Sequence, residues 1–290
     1  QAVIIHYITY PLSFGDIITL IKSVVNMNKI ISLNHYDCVI NHNRIASFVG
    51  RISAYMCKIK NNIYFAHGFY FHDDQNYLSK FLCIQLERCL SLITSFTLSQ
   101  SKDDLDLMIC NGYIDKNKTA YVANGIDNEK FRSSKNRLNL RNILHLPESD
   151  FIICSVGRLV KGKGFQDLIE AFRMINKNKS NTHLLIIGGN VKQDISKFQK
   201  QILDLMRLYN IENNVTLTGM VDNVEDYLEC SDLYVSPSYR EGLSRSLLEA
   251  MSMGLPVIAT EIRGSKEVIK HMQNGVLYKA KYVDELIKKI

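Results

Sequence analysis

The second half of the chain alternates regularly between short apolar runs and segments with the apolar spacing of an α-helix. Apolar runs bounded by glycine, proline or polar residues are typical of buried parallel strands. The predicted strands are 151–157, 183–188, 215–218, 233–236 and 257–260. The predicted helices are 165–175, 195–209, 224–229, 243–253 and one that opens at 265–270. This alternation restricts the fold class to α/β, with a parallel sheet covered by helices on both faces.

The first half shows the same alternation with less regular spacing. Its predicted strands are 3–7, 38–41, 63–66, 95–98 and 119–122, and its predicted helices are 14–27, 46–58, 78–90 and 102–110. The polar segment 127–150, which contains Pro147, is interpreted as a junction between a domain at 1–132 and a domain at 133–290. Two doubly wound domains in tandem predict a ligand cleft at the carboxyl ends of their strands.

Charge and cysteine content limit the class of partner. The formal net charge of +6 suits an anionic partner such as a nucleotide diphosphate or an anionic lipid surface, and equally suits a solvated basic surface without any partner. Lysine and arginine are scattered and no zinc-finger spacing occurs, which argues against nucleic acid. Seven cysteines without a C-x-x-C pair indicate reduced thiols and a cytoplasmic location.

The loop after the first strand of the second half combines glycines with cations. Gly157 ends the strand and permits a sharp turn close to a ligand. Arg158 and Lys163 can clamp a diphosphate, the guanidinium as a fork and the ammonium as a point charge. The alternative is a pair of ordinary solvated charges. The segment is not a Walker loop, because no G-x-x-x-x-G-K-[ST] occurs.

A second loop, after the strand 233–236, carries two carboxylates around the start of a predicted helix. Amides near Gly242 and Leu243 and the positive end of the helix can hold phosphate, with ribose hydroxyls on Glu249 and sugar hydroxyls near Glu241. Together these groups predict a nucleotide-sugar site. Each acid also has a structural interpretation: Glu249 as the capping-box partner of Ser246, and Glu241 as a first-turn acid favoured by the helix dipole.

Glu241 and Glu249 form an E-x7-E pattern, and the stretch around them resembles glycosyltransferase family four, whose members are retaining and have the GT-B fold. Matching segments occur in the family's order over about 110–290: 157–160 with 163–164, 185–188, 215–219, 241–249 and 274–275. The first half is similar more loosely, where 66–71 resembles a motif of bacterial capsule and O-antigen transferases. The resemblance implies two Rossmann-like domains that face a central cleft.

The resemblance also implies a role for each matching residue. Arg158 and Lys163, with Gly157, would bind the donor diphosphate, and Glu249 would hold the ribose. Glu241, with the amides of Gly242 and Leu243, would contact the transferred sugar. Val221 would begin the base pocket. His67 would face the donor sugar, with a structural strand-end histidine as the alternative.

Three further side-chain groups of the first half are weaker predictions. His42 is a candidate on the acceptor side. Phe69, Tyr70 and Phe71 would line an acceptor or lipid surface, or else pack in the core. Asp73–Asp74 and Asp103–Asp104 fall in predicted loop or helix-start positions, so no D-x-D metal motif is predicted.

Some family features are missing from the sequence. Members of the family begin with a strand and a Gly-rich loop, and they end with a helix that crosses back to the first domain. Neither feature has a match between Ala2 and Ile290. The resemblance therefore implies a chain that lacks about one βα unit at the front and a closing helix at the end.

The expected activity is transfer of a hexosyl or N-acetylhexosaminyl group from a UDP- or GDP-sugar, with no metal or other cofactor. The expected acceptor is a glycan or a polyprenyl-diphosphate-linked sugar for surface polysaccharide, reached at the cytoplasmic face of the membrane. The open alternatives are a sugar-nucleotide epimerase of the same fold and a non-catalytic nucleotide-sugar-binding remnant. A Rossmann-type dehydrogenase is disfavoured, because no G-x-G-x-x-G follows a strand.

Overall fold

The computed structural model describes residues 16–68, 76–133, 137–189 and 197–290. Contacts within the chain divide it into unit 1, Gln1–Ala123, and unit 2, Asn124–Ile290. The predicted strand 3–7 and the first residues of the predicted helix 14–27 lie outside the described residues. Among the described residues, no helix is long and apolar enough to cross a membrane.

Unit 1 contains a parallel sheet with helices between its strands. The strands are Cys38–His42 (β1), Asn61–Ala66 (β2), Phe96–Ser99 (β3) and Thr119–Tyr121 (β4), paired in that order. The helices are Ile17–Asn34 (α1), Arg44–Met56 (α2), Tyr77–Leu92 (α3) and Lys102–Cys110 (α4). At the start of α4 the Ser101 hydroxyl accepts a hydrogen bond from the Asp104 amide at 3.2 Å. Asp103 and Asp104 occupy the positive first turn, as predicted.

The interior of unit 1 is partly polar. Arg51 of α2 and Glu87 of α3 are 0% and 2% exposed and form a two-pronged ion pair at 2.6 and 3.0 Å. The guanidinium also lies 4.0 Å from the centre of the Tyr64 ring. Asn41 donates to Asn62 at 2.9 Å, and Asn62 donates to the Arg51 carbonyl at 3.0 Å. These bonds join β1, β2 and α2 through polar groups.

Unit 2 contains a longer sheet of the same doubly wound type. The strands are Phe151–Val156 (β5), Thr182–Ile187 (β6), Val215–Leu217 (β7), Leu233–Ser236 (β8), Val257–Thr260 (β9) and Val276–Tyr278 (β10). The helices are Arg137–Ile143 (α5), Phe165–Asn178 (α6), Lys197–Leu208 (α7), Val224–Glu229 (α8), Arg245–Ser252 (α9), Arg263–Val268 (α10) and Val283–Lys289 (α11). The strand order is β10-β9-β8-β5-β6-β7, and all pairs are parallel.

Alternate side chains of β5, β6, β8 and β9 enter different hydrophobic clusters. Ile153 packs in the cluster that contains Phe165 and Phe172 of α6. Its neighbours Ile152 and Cys154 pack in the cluster that contains Leu247 of α9. Burial on both faces explains why these strands are continuously apolar in the sequence.

Three of the strands and helices described for unit 2 were not predicted: β10, α5 and α11. The strand β10 is three residues long, too short to show a period. The helix α5 lies inside the predicted junction 127–150, and its Arg141 is only 4% exposed. Arg141 donates to the carbonyls of Cys230, Glu148 and Asp150 and to the Asp232 carboxylate. A segment that appears polar in the sequence is therefore part of the folded core.

Candidate functional site

The order of strands in unit 2 reverses at β5, which has β8 on one side and β6 on the other. In open parallel sheets ligands bind at this position, outside the carboxyl ends of the strands. The two loops at this point are 157–164, after β5, and 237–244, after β8; we call them the β5 loop and the β8 loop. The predicted motifs lie on these two loops.

The two loops are in direct backbone contact. The Tyr239 amide donates to the Gly162 carbonyl at 2.9 Å. Gly164 has φ +69°, and a Cβ added there would lie 2.0 Å from the Pro237 carbonyl oxygen. Glycine is required at 164 both by its left-handed conformation and by the close approach of the β8 loop.

In the β5 loop, Leu159 and Phe165 are each 1% exposed and anchor its two ends in the core. Between them Lys161–Lys163 forms a single turn of 3-10 helix, which brings the Lys163 side chain back against Gly157. Arg158 is exposed. The loop thus carries two exposed cations, Arg158 and Lys161, and one cation held within the site, Lys163.

The helix α9 begins at Arg245, later than the predicted residue 243, with Ser244 as its N-cap residue. Ser246 lies inside the helix, and its hydroxyl accepts from the Tyr234 hydroxyl at 2.9 Å. The capping-box interpretation of Glu249 is therefore wrong, because Ser246 does not hold the cap position. Glu241 lies four residues before the helix, so the interpretation as a first-turn acid is also wrong.

Lys163 and Glu241 form an ion pair across the two loops. Their side chains are 18% and 23% exposed, so the pair is partly shielded from water while remaining open to a ligand. A phosphate oxygen or a sugar hydroxyl that enters here meets a cation and a carboxylate side by side. This arrangement suits a ligand that carries both an anionic group and hydroxyl groups.

Glu249 lies one to two helical turns further on, with 12% of its side chain exposed. Burial raises the pKa of this carboxyl above its ordinary value, while Arg245 and Lys130 act to lower the pKa. Arg245 lies 3.9 Å away, and Lys130 bonds the Asp222 carbonyl at 3.2 Å. Lys130 is thus a site residue that the sequence did not predict, because it stands in the polar junction with no motif around it.

Gly264, in the first turn of α10, packs closely against the backbone of the β8 loop. A Cβ added at Gly264 would lie 1.9 Å from the Gly242 carbonyl oxygen. The Asn124 side chain donates to the Leu243 carbonyl at 2.6 Å. Val221 is partly buried against the apolar cluster that contains Leu247 of α9. The predicted residues all lie in unit 2, Glu249 within α9 and the others on connecting segments: Gly157, Arg158, Lys163, Val221, Glu241, Gly242 and Leu243.

In unit 1, polar side chains follow three adjacent strands. His42 ends β1, His67 follows β2 and Gln100 follows β3. His42 Nδ1 lies 3.0 Å from His67 Nε2, and His67 Nδ1 lies 2.8 Å from Gln100 Oε1. The structure therefore brings together the two histidines that the sequence singled out separately. Both are exposed.

The remaining predicted side chains have different outcomes. Phe69, Tyr70, Phe71, Asp73 and Asp74 lie outside the described residues. All seven cysteines are free thiols. In the described ranges, no three His, Cys, Asp or Glu side chains are grouped so as to hold a metal ion.

Comparison with known proteins gives a family match and a fold match. The family model described as Glycosyl transferases group 1 matches residues 136–290. Over 269 residues the chain is 28% identical to UDP-Gal:alpha-D-GlcNAc-diphosphoundecaprenol alpha-1,3-galactosyltransferase of Escherichia coli, covering 92% of this chain and 68% of that protein. It is 25% identical to the capsular polysaccharide biosynthesis glycosyltransferase CapM of Staphylococcus aureus, covering 96% and 72%.

Among solved structures, Anabaena HepE in complex with UDP and glucose superposes with a TM-score of 0.78 at 20% identity, covering 97% of this chain and 73% of that chain. This likeness confirms the expected fold class, two parallel-sheet α/β units of the GT-B type. This chain spans only part of the length of each of these proteins.

Proposed function

This chain belongs to the Glycosyl transferases group 1 family, and we propose that it transfers a sugar from a nucleotide-diphosphate sugar to a glycan or lipid-linked acceptor, with retention of anomeric configuration. The observation that carries the proposal is the Lys163–Glu241 ion pair together with the largely buried Glu249 of α9, at the reversal of strand order in unit 2. These three side chains offer separate partners for phosphate, sugar and ribose.

The donor diphosphate is proposed to bind between the β5 loop and the start of α9. Lys163 is held at this position, and the exposed Arg158 is free to close on the phosphates. The amides around Gly242 and Leu243 and the positive end of α9 add further stabilisation of negative charge. These groups supply the electrostatic stabilisation of the leaving diphosphate, so we propose that no metal ion is needed.

Binding of the donor requires an exchange of partners at the ion pair. Lys163 leaves Glu241 for a phosphate oxygen, and Glu241 then accepts hydrogen bonds from hydroxyls of the transferred sugar. Glu249 accepts hydrogen bonds from the ribose, and Val221 begins the pocket for the base. In unit 1, we propose that the polar group centred on His67, which also contains His42 and Gln100, interacts with the reacting sugars.

The reaction is proposed to take place on one face of the sugar. The bond between the anomeric carbon and the phosphate oxygen breaks, and the bond from the acceptor oxygen forms on the same face. The proton of the acceptor hydroxyl moves to the departing phosphate. Glu241 acts through charge and hydrogen bonds, so no covalent sugar–enzyme intermediate is required.

The E. coli relative supports a specific first choice of substrates. Its name gives UDP-galactose as donor and GlcNAc-diphosphoundecaprenol as acceptor. We propose a UDP-hexose donor and a polyprenyl-diphosphate-linked acceptor for this chain, at the cytoplasmic face of an anionic membrane. The net charge of +6 is consistent with such a surface.

The test is a transfer assay with UDP-galactose and GlcNAc-diphosphoundecaprenol, together with calorimetric titration of UDP. We expect UDP to bind, and at about 100 times its dissociation constant to stabilise the protein by about 2.7 kcal/mol. We expect an α-linked product, visible in the anomeric proton coupling. UDP binding without transfer to any lipid-linked acceptor would favour the non-catalytic alternative, and donor conversion without acceptor would favour an epimerase.

A further inference from the structure

The carboxyl ends of β1, β2 and β3 carry a continuous row of hydrogen-bonding side chains. The row runs from Gln100 through His67 to His42, with 2.8 Å between Gln100 Oε1 and His67 Nδ1 and 3.0 Å between His67 Nε2 and His42 Nδ1. The two imidazoles are stacked at 5.2 Å between ring centroids, and each also lies 5.1 Å from the Phe65 ring. The row is therefore fixed by both stacking and hydrogen bonds.

The orientation of the Gln100 amide, with Oε1 towards His67 Nδ1, assigns the protons along this row. A carbonyl oxygen only accepts, so His67 Nδ1 carries the hydrogen that points at Gln100. In neutral His67 the Nε2 atom then has a lone pair, and the hydrogen between the rings belongs to His42 Nδ1. The consequence is that His42 Nε2 is a hydrogen-bond acceptor.

Both ring nitrogens of His67 are used inside unit 1. His42 Nε2 is different, because it has no hydrogen-bond partner among the described residues and His42 is exposed. His42 Nε2 is thus the atom of this row that can accept a hydrogen bond from a ligand.

We propose that His42 Nε2 accepts a hydrogen bond from a hydroxyl of the sugar acceptor, and that His67 and Gln100 are positioning residues that hold His42 in the accepting tautomer. This inference rests on the proposed glycosyl transfer and assigns the substrate contact in unit 1 to His42. No proton is transferred to His42 in this role: the hydrogen bond orients the hydroxyl oxygen for attack.

A neutral His42 is required, since protonation would convert Nε2 into a donor. Burial and the neighbouring His67 both lower the pKa of His42, which keeps it neutral to a lower pH. The groups that face it include Phe65 and His67, and a carboxylate of the same unit, Asp104 of α4, has its Oδ2 3.9 Å from where a Gly68 Cβ would be.

The tautomers are measured first, by long-range ¹H–¹⁵N correlation spectra of the full chain labelled at its eight histidines. Signals are assigned by comparison with His42→Asn and His67→Asn. We expect both His42 and His67 to carry hydrogen on Nδ1. A hydrogen on His42 Nε2 at neutral pH would overturn the proposal whether or not the protein transfers sugar.

Kinetics with UDP-galactose and GlcNAc-diphosphoundecaprenol form the second arm. His42→Asn retains an amide at the place of Nδ1 and removes Nε2, so we expect the KM for the acceptor to rise about tenfold, with UDP affinity unchanged. His35→Asn is the matched control, because His35 is exposed and has φ +49°, which asparagine tolerates. An unchanged acceptor KM in His42→Asn would overturn the proposal.

Gln100→Glu tests the positioning role through the pH profile, which a purely structural role of Gln100 would leave unchanged. A carboxylate at this position favours imidazolium in the row, so the acid limb of the pH profile for acceptor kcat/KM should shift to higher pH. An unshifted acid limb would overturn the positioning role. If the wild-type chain binds UDP but transfers no sugar, the proposed function fails, while the tautomer measurement still decides the state of the row.

Discussion

Unit 1 and unit 2 are built on the same parallel-sheet plan but have different interiors. In unit 2 every residue of β6 is buried, and the strand lies between two apolar clusters. In unit 1 the strand β1 has one buried residue, the polar Asn41, and the interior contains the Arg51–Glu87 ion pair. Apolar packing tolerates small adjustments, whereas a buried charge without its partner is strongly destabilising.

This difference predicts where each unit is vulnerable. Unit 1 should depend on complete pairing of its buried polar groups. Unit 2 should keep its stability when its site is altered, because the site lies on loops at the edge of a large apolar core. The following experiments test this contrast in order of expected effect.

The largest effect is expected from Arg51→Met in unit 1. Removal of the guanidinium leaves Glu87 buried without its partner, so the free energy of unfolding of unit 1 should fall by about 3–5 kcal/mol. The measurement is urea unfolding followed by hydrogen exchange in α2 and α3. The matched variant in unit 2, Arg173→Met, breaks the Arg173–Glu170 pair, whose side chains are 38% and 33% exposed, and should cost about 1 kcal/mol.

The double variant Arg51→Met/Glu87→Leu removes both charges from unit 1. We expect it to recover most of the lost stability, because no unpaired charge remains. If the double variant is as unstable as Arg51→Met, unit 1 depends on the shape of these side chains and the contrast with unit 2 is lost.

In unit 2, substitution of a site residue should reduce activity and not stability. Lys163→Ala should lower kcat by roughly 10²–10³-fold, because the cation that stabilises the departing diphosphate is removed. The unfolding free energy of unit 2 should change little. Lys161→Ala is the control, since Lys161 is an exposed lysine in the same turn. Full turnover of Lys163→Ala at saturating donor would contradict the proposed mechanism.

Glu249→Gln should weaken UDP binding by roughly tenfold or more, since hydrogen bonds from the ribose to a carboxylate are lost. In the wild-type protein burial raises the pKa of Glu249, so UDP affinity should fall with decreasing pH and begin to fall above the ordinary carboxyl range. Titration calorimetry at several pH values measures both effects. The acid dependence should be absent from Glu249→Gln.

The smallest effect concerns a polar group buried in unit 2. His183 is 4% exposed and bonds Thr216 at 2.8 Å; burial lowers its pKa, with a smaller opposing effect of Asp150. The folded protein keeps His183 neutral while the unfolded chain takes up a proton below about pH 6.5. The unfolding free energy of unit 2 should therefore fall with decreasing pH from about 6.5, by up to about 1.4 kcal/mol per pH unit.

His183→Leu should remove this acid dependence, whereas His145→Asn should retain it, because His145 is exposed. Equal slopes of stability against pH in the two variants would show that another group is responsible.

The contrast between the units also determined what the sequence could predict. Strands buried on both faces are continuous apolar runs, so β8 and β9 were predicted with their observed limits. The helices α4 and α8 were also predicted with their observed limits. The helix α5 was missed, because its buried Arg141 is polar in sequence and is satisfied by carbonyls that only the fold brings close.

Glu241 and Glu249 were predicted from a motif in which local spacing reflects spatial proximity around one helix start, and Lys163 was predicted from the separate glycine-rich loop after β5. Lys130 and Gly264 were not, since their contacts with this site depend on long-range packing. His42 and His67 were singled out separately, and their pairing required knowledge that β1 and β2 are adjacent and in register, with His42 opposite Phe65.

Gly164 and Gly264 leave no room for a side chain on either side of the β8 loop. Neither residue is proposed to touch a substrate, yet saturation mutagenesis should find both positions as intolerant as Lys163. For protein engineering this means that the β8 loop, the proposed sugar-binding segment, is poorly suited to redesign by substitution of these neighbouring glycines. Libraries that aim at a new donor should instead vary Val221, whose side chain is partly buried, and Lys130, whose side chain reaches the Asp222 carbonyl.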